Sequence, residues 1–430
     1  MKNHFWKLFS VLVLAFLILL TGCSSSDSSK DSDQITLRIG TWEGGDAFQI
    51  QQRLAEEYMD KNPNIKIEVE SVPDGYGQRI LTQVASGVAP DIFQIGEDDI
   101  RTYADRGAII DLTTFTNSDS EFSEADYIDT VLNIGRIDGK LFTLPKDFSN
   151  IAVYYNKRLF DEAGIPHPEV GWTWEEFYEI AKKLTVKDGN RITQWGVQLP
   201  GTDLTRILPL IYAYGGDLIS QDGTQFEGYL NSEGTATALQ MYYDMYFKDS
   251  IAPTDVDREA FAGVNLFGSE IVAMSVHGRW PAAGYIDNPN LEFGTVALPE
   301  GPAGAGNSIA YAGYGIYSQS KNQAAAWDYL KYLAGKEGTS QFAEHAFVAV
   351  QSVAEESGQL TKPVYQGFTD GNEHIRPKPS LLTPHFAQSG AVVIKELLEK
   401  ITLGYEMDIN QELDRLAKEA DELLKQAQDK

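Results

Sequence analysis

A chain of 430 residues, 43% of them hydrophobic, is long enough for two domain-sized cores. Its formal net charge of −27 argues against nucleic acid or an anionic lipid surface as a partner. A single cysteine excludes an internal disulfide and a thiolate metal site, so stability rests on buried core.

The chain opens with Lys2 and Lys7, an apolar run from about Val11 to Leu20, and the tetrapeptide Leu20-Thr21-Gly22-Cys23. Basic, apolar and small-residue segments in that order predict a signal peptide over 1–22. The run is short for a membrane span, which needs about 20 apolar residues. The tetrapeptide resembles the bacterial lipoprotein lipobox, which implies a diacylglycerol on Cys23 and cleavage before it. Two acyl chains on one residue give stable anchoring. A plain signal peptide or an uncleaved anchor is the alternative. Without Lys2 and Lys7 the charge moves from −27 to about −29. Residues 23–34, small and charged after the cysteine, predict a flexible linker without the spacing of a calcium loop.

Alternating elements follow. Ile35–Ile39 has period two and predicts a strand; Phe48–Met59 carries helical spacing and stops before Pro63. Ile65–Val69 predicts a strand, Tyr76–Ser86 a helix ended by Gly87, and Asp91–Ile95 a third strand. This order implies right-handed crossovers and a mainly parallel sheet covered by helices. After Gly171 the pattern resumes. Helices are expected at Trp174–Leu184 with Thr173 as N-cap and Asn231–Phe247 with an Asn cap, and between them Arg206–Tyr214 is an apolar segment ended by Gly215-Gly216. Strands are expected at Thr193–Leu199, Ile271–Val276, Phe293–Leu298 and Gly315–Ser318. Helices at about Asn322–Leu333, Ser340–His345, Ala391–Leu403 and Ile409–Gln426 complete the reading.

No H-E-x-x-H, G-x-S-x-G or Walker sequence is present, and the histidines lack metal spacing. No metal or cofactor is expected. The S-x-x-K match Ser318-Gln319-Ser320-Lys321 has no K-T-G partner, and Ser320 reads as a helix cap. Ligands of open parallel sheets sit beyond the C-terminal strand ends. Those ends carry Trp42, Glu43 and Asp46, then Glu97 and Asp98, and later Arg279 and Trp280. An indole face stacks on the C–H patch of a sugar, and a neighbouring charged group holds its hydroxyls. Trp42 and Trp280 either plug the sheet ends or contact ligand; their charged neighbours favour contact. Trp172, Trp174 and Trp327 read as packing, and Trp195 is ambiguous.

Several segments resemble the extracellular solute-binding proteins of ATP-driven importers, in the sugar-binding class that includes maltose-binding protein. They are Gly87–Phe93, Gly139–Pro145 followed by Ala152–Lys157, Trp174–Phe177, Phe267–Pro281, Val296–Pro299 and Lys321–Leu330. The resemblance implies an α/β, two-lobed periplasmic-binding-protein-like fold with a hinge. Each lobe would be a mainly parallel sheet flanked by helices: 35–150 plus 296–325, and 151–295 plus 326–430. It implies that Trp42, Glu43, Glu97 or Asp98, Asp147, Arg279, Trp280 and Tyr314 face the ligand, and Asp46 joins them as a strand-end candidate. Lys146 and Arg376 are further candidates. The expected function is a monomeric, lipid-anchored receptor on the outer face of the cell membrane, delivering a neutral carbohydrate to ABC transporter permease subunits. A lipoprotein glycosidase using two cleft carboxylates and a surface adhesion or sensing module are the alternatives.

Overall fold

The computed structural model describes residues 34–429 apart from Asn190. The expected signal peptide, Cys23 and the linker through residue 33 lie outside the described residues. Among the described residues no helix is long and apolar enough to cross a membrane.

In chain order the main strands are β1 (Ile35–Thr41), β2 (Ile65–Ser71), β3 (Ile92–Gly96), β4 (Leu144–Asn150) and β5 (Ala152–Asn156). They continue with β6 (Val186–Asp188), β7 (Arg191–Gln198), β8 (Val272–His277), β9 (Phe293–Ala297) and β10 (Ile309–Ile316). They form two five-stranded sheets, β2-β1-β3-β10-β4 and β9-β5-β8-β7-β6. The chain passes between the sheets at Ile151, between Ala297 and Ile309, and again beyond the helices that follow β10. This is the two-lobed α/β architecture that the alternation implies. The mainly parallel pairing expected of each sheet holds for β2-β1-β3 and β7-β8 only. Strands next to a crossing pair antiparallel, because the chain re-enters each sheet from the opposite lobe.

Helices cover the sheets where apolar spacing permits. Among them, α1 (Gly45–Lys61) buries Ile50, Leu54 and Tyr58, and α2 (Tyr76–Ala85) buries Tyr76 and Ile80. A third, α3 (Glu97–Asp105), follows β3 directly; its acidic first turn complements the helix dipole. In the second lobe α4 (Trp174–Leu184) starts on the expected cap, with Thr173 and Glu176 forming a reciprocal capping box. Next come α5 (Leu204–Ala213) and α6 (Glu233–Phe247), the latter capped by Ser232 rather than Asn231. The Ser320 hydroxyl donates to Asp91 Oδ1 at 2.6 Å, which holds the turn before the next helix rather than capping it.

That next helix, α7 (Gln323–Ala334), and α8 (Lys336–Phe342) correct the expected lobe boundaries. Ala326, Trp327, Leu330 and Leu333 join the core of the first sheet, so the segment from 326 to about 356 packs on the first lobe. The returning strand is longer than Gly315–Ser318 and runs from Ile309 to Ile316. Val296 and Ala297 pair with β5 and belong to the second sheet. The chain ends with α9 (Gly390–Leu403) and α10 (Ile409–Gln428). Leu413, Leu416, Ala420 and Leu424 of α10 enter the second core; each buried leucine contributes about 1.5–3 kcal/mol.

Candidate functional site

The C-terminal end of β1 delivers Trp42 and Glu43 to the seam between the lobes. The backbone N–H of Glu43 donates to Thr41 Oγ1 at 3.0 Å, and Thr41 Oγ1 donates to Gln94 Oε1 at 2.5 Å. Gln94 Nε2 then donates to Glu43 Oε1 at 3.1 Å, so β3 positions the carboxylate of β1. The Trp42 ring meets Tyr76 edge-on, with centroids 5.4 Å apart.

From β4 come Lys146 and Asp147. The β4–β10 register slips between Ala312, which faces Asp147, and Gly313, which faces Pro145. Lys146 is therefore the extra residue of a bulge. A bulge re-aims side chains that would otherwise alternate across the sheet, and here Lys146 and Asp147 reach each other. Lys146 Nζ donates to Glu43 Oε1 at 2.8 Å and to Asp147 Oδ2, and the Phe342 ring lies 4.6 Å from it. Burial alone would raise the Glu43 carboxyl, but the Lys146 charge and the hydrogen bonds from Lys146 and Gln94 hold it below its ordinary value. Burial raises Asp147, against the pull of Lys146. Burial also opposes the Lys146 charge, but its two carboxylates prevail and raise it, keeping the ammonium protonated.

The second lobe contributes the turn after β8. Trp280 is 51% exposed and lies over Gly278, where a Cβ would sit 1.9 Å from the indole. Only glycine leaves room for that ring pose. His277 meets the same indole edge-on at 4.9 Å, and burial first, then nearby Arg206, pushes its imidazole down to about 4. Arg279 is buried, with its guanidinium carbon 4.9 Å from the Phe347 ring and 4.8 Å from that of Tyr365. Its Nη2 donates to Tyr365 Oη at 3.0 Å and to the Glu344 carbonyl at 3.2 Å, while Nε has no protein acceptor among the described residues.

These groups line one cleft of about 290 Å³, bounded by Trp42, Glu43, Lys146 and Asp147 on one side and Arg279 and Trp280 on the other. Ser149, Tyr311, His345 and Phe347 also line it, and sequence reasoning missed all four. For Tyr311 a signal existed in the alternation of the 309–316 strand; for His345 and Phe347 there was none. The other expected site residues fall elsewhere. Asp46 is exposed in the first turn of α1, where it complements the helix dipole. Tyr314 is fully buried in the first core and accepts from Gln51 Nε2 at 2.8 Å. It lies three residues from Tyr311, hence on the opposite face of the strand. Glu97 is buried, accepting from the Tyr311 N–H and from Lys378 Nζ, each at 2.8 Å. Asp98 accepts from Ser380 Oγ at 2.6 Å and from Lys378. Arg376 pairs with Asp217 at 2.8 Å and covers the Tyr212 ring, away from the cleft. Among the described residues no cluster of His, Cys, Asp and Glu is arranged to hold a metal ion.

The family model for bacterial extracellular solute-binding proteins matches residues 44–340. A binding protein of Brucella abortus is 28% identical over 341 residues, covering 76% of this chain and 79% of the relative. The diacetylchitobiose-binding protein DasA of Streptomyces coelicolor is 24% identical over 339 residues, covering 76% and 77%. In fold, the chain is similar to the ABC substrate-binding protein Lmo0181 of Listeria monocytogenes, solved in complex with cycloalternan. The TM-score is 0.78 at 20% identity, covering 92% of this chain and all of the other.

Proposed function

The chain belongs to the bacterial extracellular solute-binding protein family, and from that premise we propose that it is the receptor of an ATP-driven importer for a neutral sugar or short oligosaccharide. One observation carries the reading: each lobe presents a tryptophan to the same cleft, Trp42 from the first and Trp280 from the second, beside two carboxylates fixed by a buried lysine. Indole faces suit the apolar patches of a sugar, and charge-assisted acceptors suit its hydroxyls. Arg279 Nε supplies a buried donor still in need of an acceptor.

Because the two halves of the site ride on different lobes, ligand favours the arrangement in which both touch it. The importer's permease subunits then read that arrangement. Anchoring through a lipid on Cys23 keeps a monomeric receptor on the outer face of the membrane, beside the permease; mass spectrometry of the membrane-extracted protein tests this. The binding reading itself is tested by calorimetry against a sugar panel. Micromolar affinity, about −8 kcal/mol, with no product formed supports it. Release of a hydrolysis product makes the protein a glycosidase, and recovery of a protein partner with no sugar bound makes it an adhesion or sensing module.

A further inference from the structure

A second cavity, of about 400 Å³, lies along the same seam between the lobes. Its walls include Asp98 of α3, Thr205 of α5, Lys378, Phe386 and, from α9, Ile394 and Leu398. It shares no lining residue with the cleft of about 290 Å³. Two chains of contact nevertheless connect them. On the first-lobe side, Tyr311 in the cleft wall donates its N–H to Glu97, which accepts in turn from Lys378 in the wall of the second cavity. On the second-lobe side, Trp280 packs on His277 beside Arg206, which pairs at 2.7 Å with Asp203 in the far wall.

Lys378 lines the second cavity with 4% of its side chain exposed and reaches the cleft wall through Glu97 and the Tyr311 N–H. Its ammonium donates to Glu97 Oε1 at 2.8 Å, to Asp98 Oδ2 at 3.0 Å and, across the lobes, to Thr205 Oγ1 at 2.8 Å. An ammonium has three donors. All are satisfied within the protein, so Lys378 has nothing to offer a ligand and acts as a wall. The cleft on its own, at about 290 Å³, sits at the lower edge of the roughly 300–1,000 Å³ typical of small-molecule pockets. That is space for about one or two sugar rings, whereas the two cavities joined would admit a longer chain.

Resting on the sugar-receptor reading above, we propose that Lys378 is a specificity-determining residue. Its bridge from Glu97 to Thr205 partitions the seam, restricts the ligand to one or two sugar units, and denies longer chains the second cavity.

The test is calorimetric titration of the protein with gluco-, galacto-, manno- and N-acetylglucosamine saccharides of one to four units. For the series that binds, the unaltered protein should change in Kd by less than about threefold from disaccharide to tetrasaccharide. The double variant Lys378→Ala/Glu97→Gln, which removes the wall and avoids stranding a buried charge, should bind the tetrasaccharide at least tenfold more tightly than the disaccharide, with disaccharide affinity unchanged. A tetrasaccharide already bound tenfold more tightly by the unaltered protein overturns the proposal. So does a double variant that melts cooperatively and keeps the original length profile. Ala391→Trp fills the second cavity with the bridge intact. It should leave every affinity unchanged, and a tenfold loss confined to longer chains overturns the proposal even if the double variant fails to fold. Failure of every sugar to bind refutes the receptor reading and the partition together; binding that rises with length refutes the partition alone.

Discussion

Two buried lysines along the same seam each hold a glutamate and an aspartate, and their surroundings give them opposite consequences. Lys146 binds Glu43 and Asp147, all three within the first lobe, and the cluster opens onto the cleft. Lys378 binds Glu97 and Asp98 of the first lobe and Thr205 of the second, which uses its last donor and closes the space around it. Similar charges at similar strand ends therefore make a recognition surface in one place and a wall in the other. What separates them is donor count and which lobes the bridge joins.

The comparison is broken most forcefully at the lysines themselves. Replacing either by methionine leaves two carboxylates without their cation, a loss of about 3–5 kcal/mol readable in urea unfolding. Only Lys146→Met should also weaken sugar binding, by more than a hundredfold; Lys378→Met should keep the affinity for short sugars. Equal effects on binding would erase the distinction.

Between the two sites lies His277. Its imidazole is held at about 4 against an ordinary 6.5, so the unfolded chain takes up its proton first as pH falls. Its contribution is complete above pH 6.5 and is lost as pH drops toward 4. The full span is worth up to about 3 kcal/mol. Stability measured from pH 7 to 4 should fall less steeply in His277→Gln, and an unchanged slope would remove His277 from the account.

Gly278→Ala sharpens the second-lobe half of the cleft. The added Cβ displaces the Trp280 ring, so affinity should fall about tenfold while the melting temperature stays within a few degrees. Asp98→Asn is the mildest change. Its side chain is 59% exposed, so its pair with Lys378 is screened by solvent and the substitution should cost about 1 kcal/mol or less, with sugar affinity unaffected.

Much of this architecture is written in periodicity. β1 to β3 and their helices are legible because apolar spacing changes from two to 3.6 and back. The strand 309–316, Ile-Ala-Tyr-Ala-Gly-Tyr-Gly-Ile, is small and glycine-rich and hides most of its length. Trp42, Glu43, Arg279 and Trp280 were legible because they end strands. The pairing of Lys146 with Asp147 rests on a bulge, a register event that sequence alternation does not encode. Glu97 and Asp98 also end a strand, but their partner Lys378 lies some 280 residues away, and a single sequence offers no sign of that contact.

The central claim is that one tryptophan from each lobe grips a sugar in a shared cleft. Calorimetry of the unaltered protein and of Trp280→Ala against the same sugar panel tests it most directly. The account predicts micromolar binding of at least one sugar, and a loss of at least tenfold in the variant with its melting temperature preserved. Equal affinity in the two proteins would contradict it.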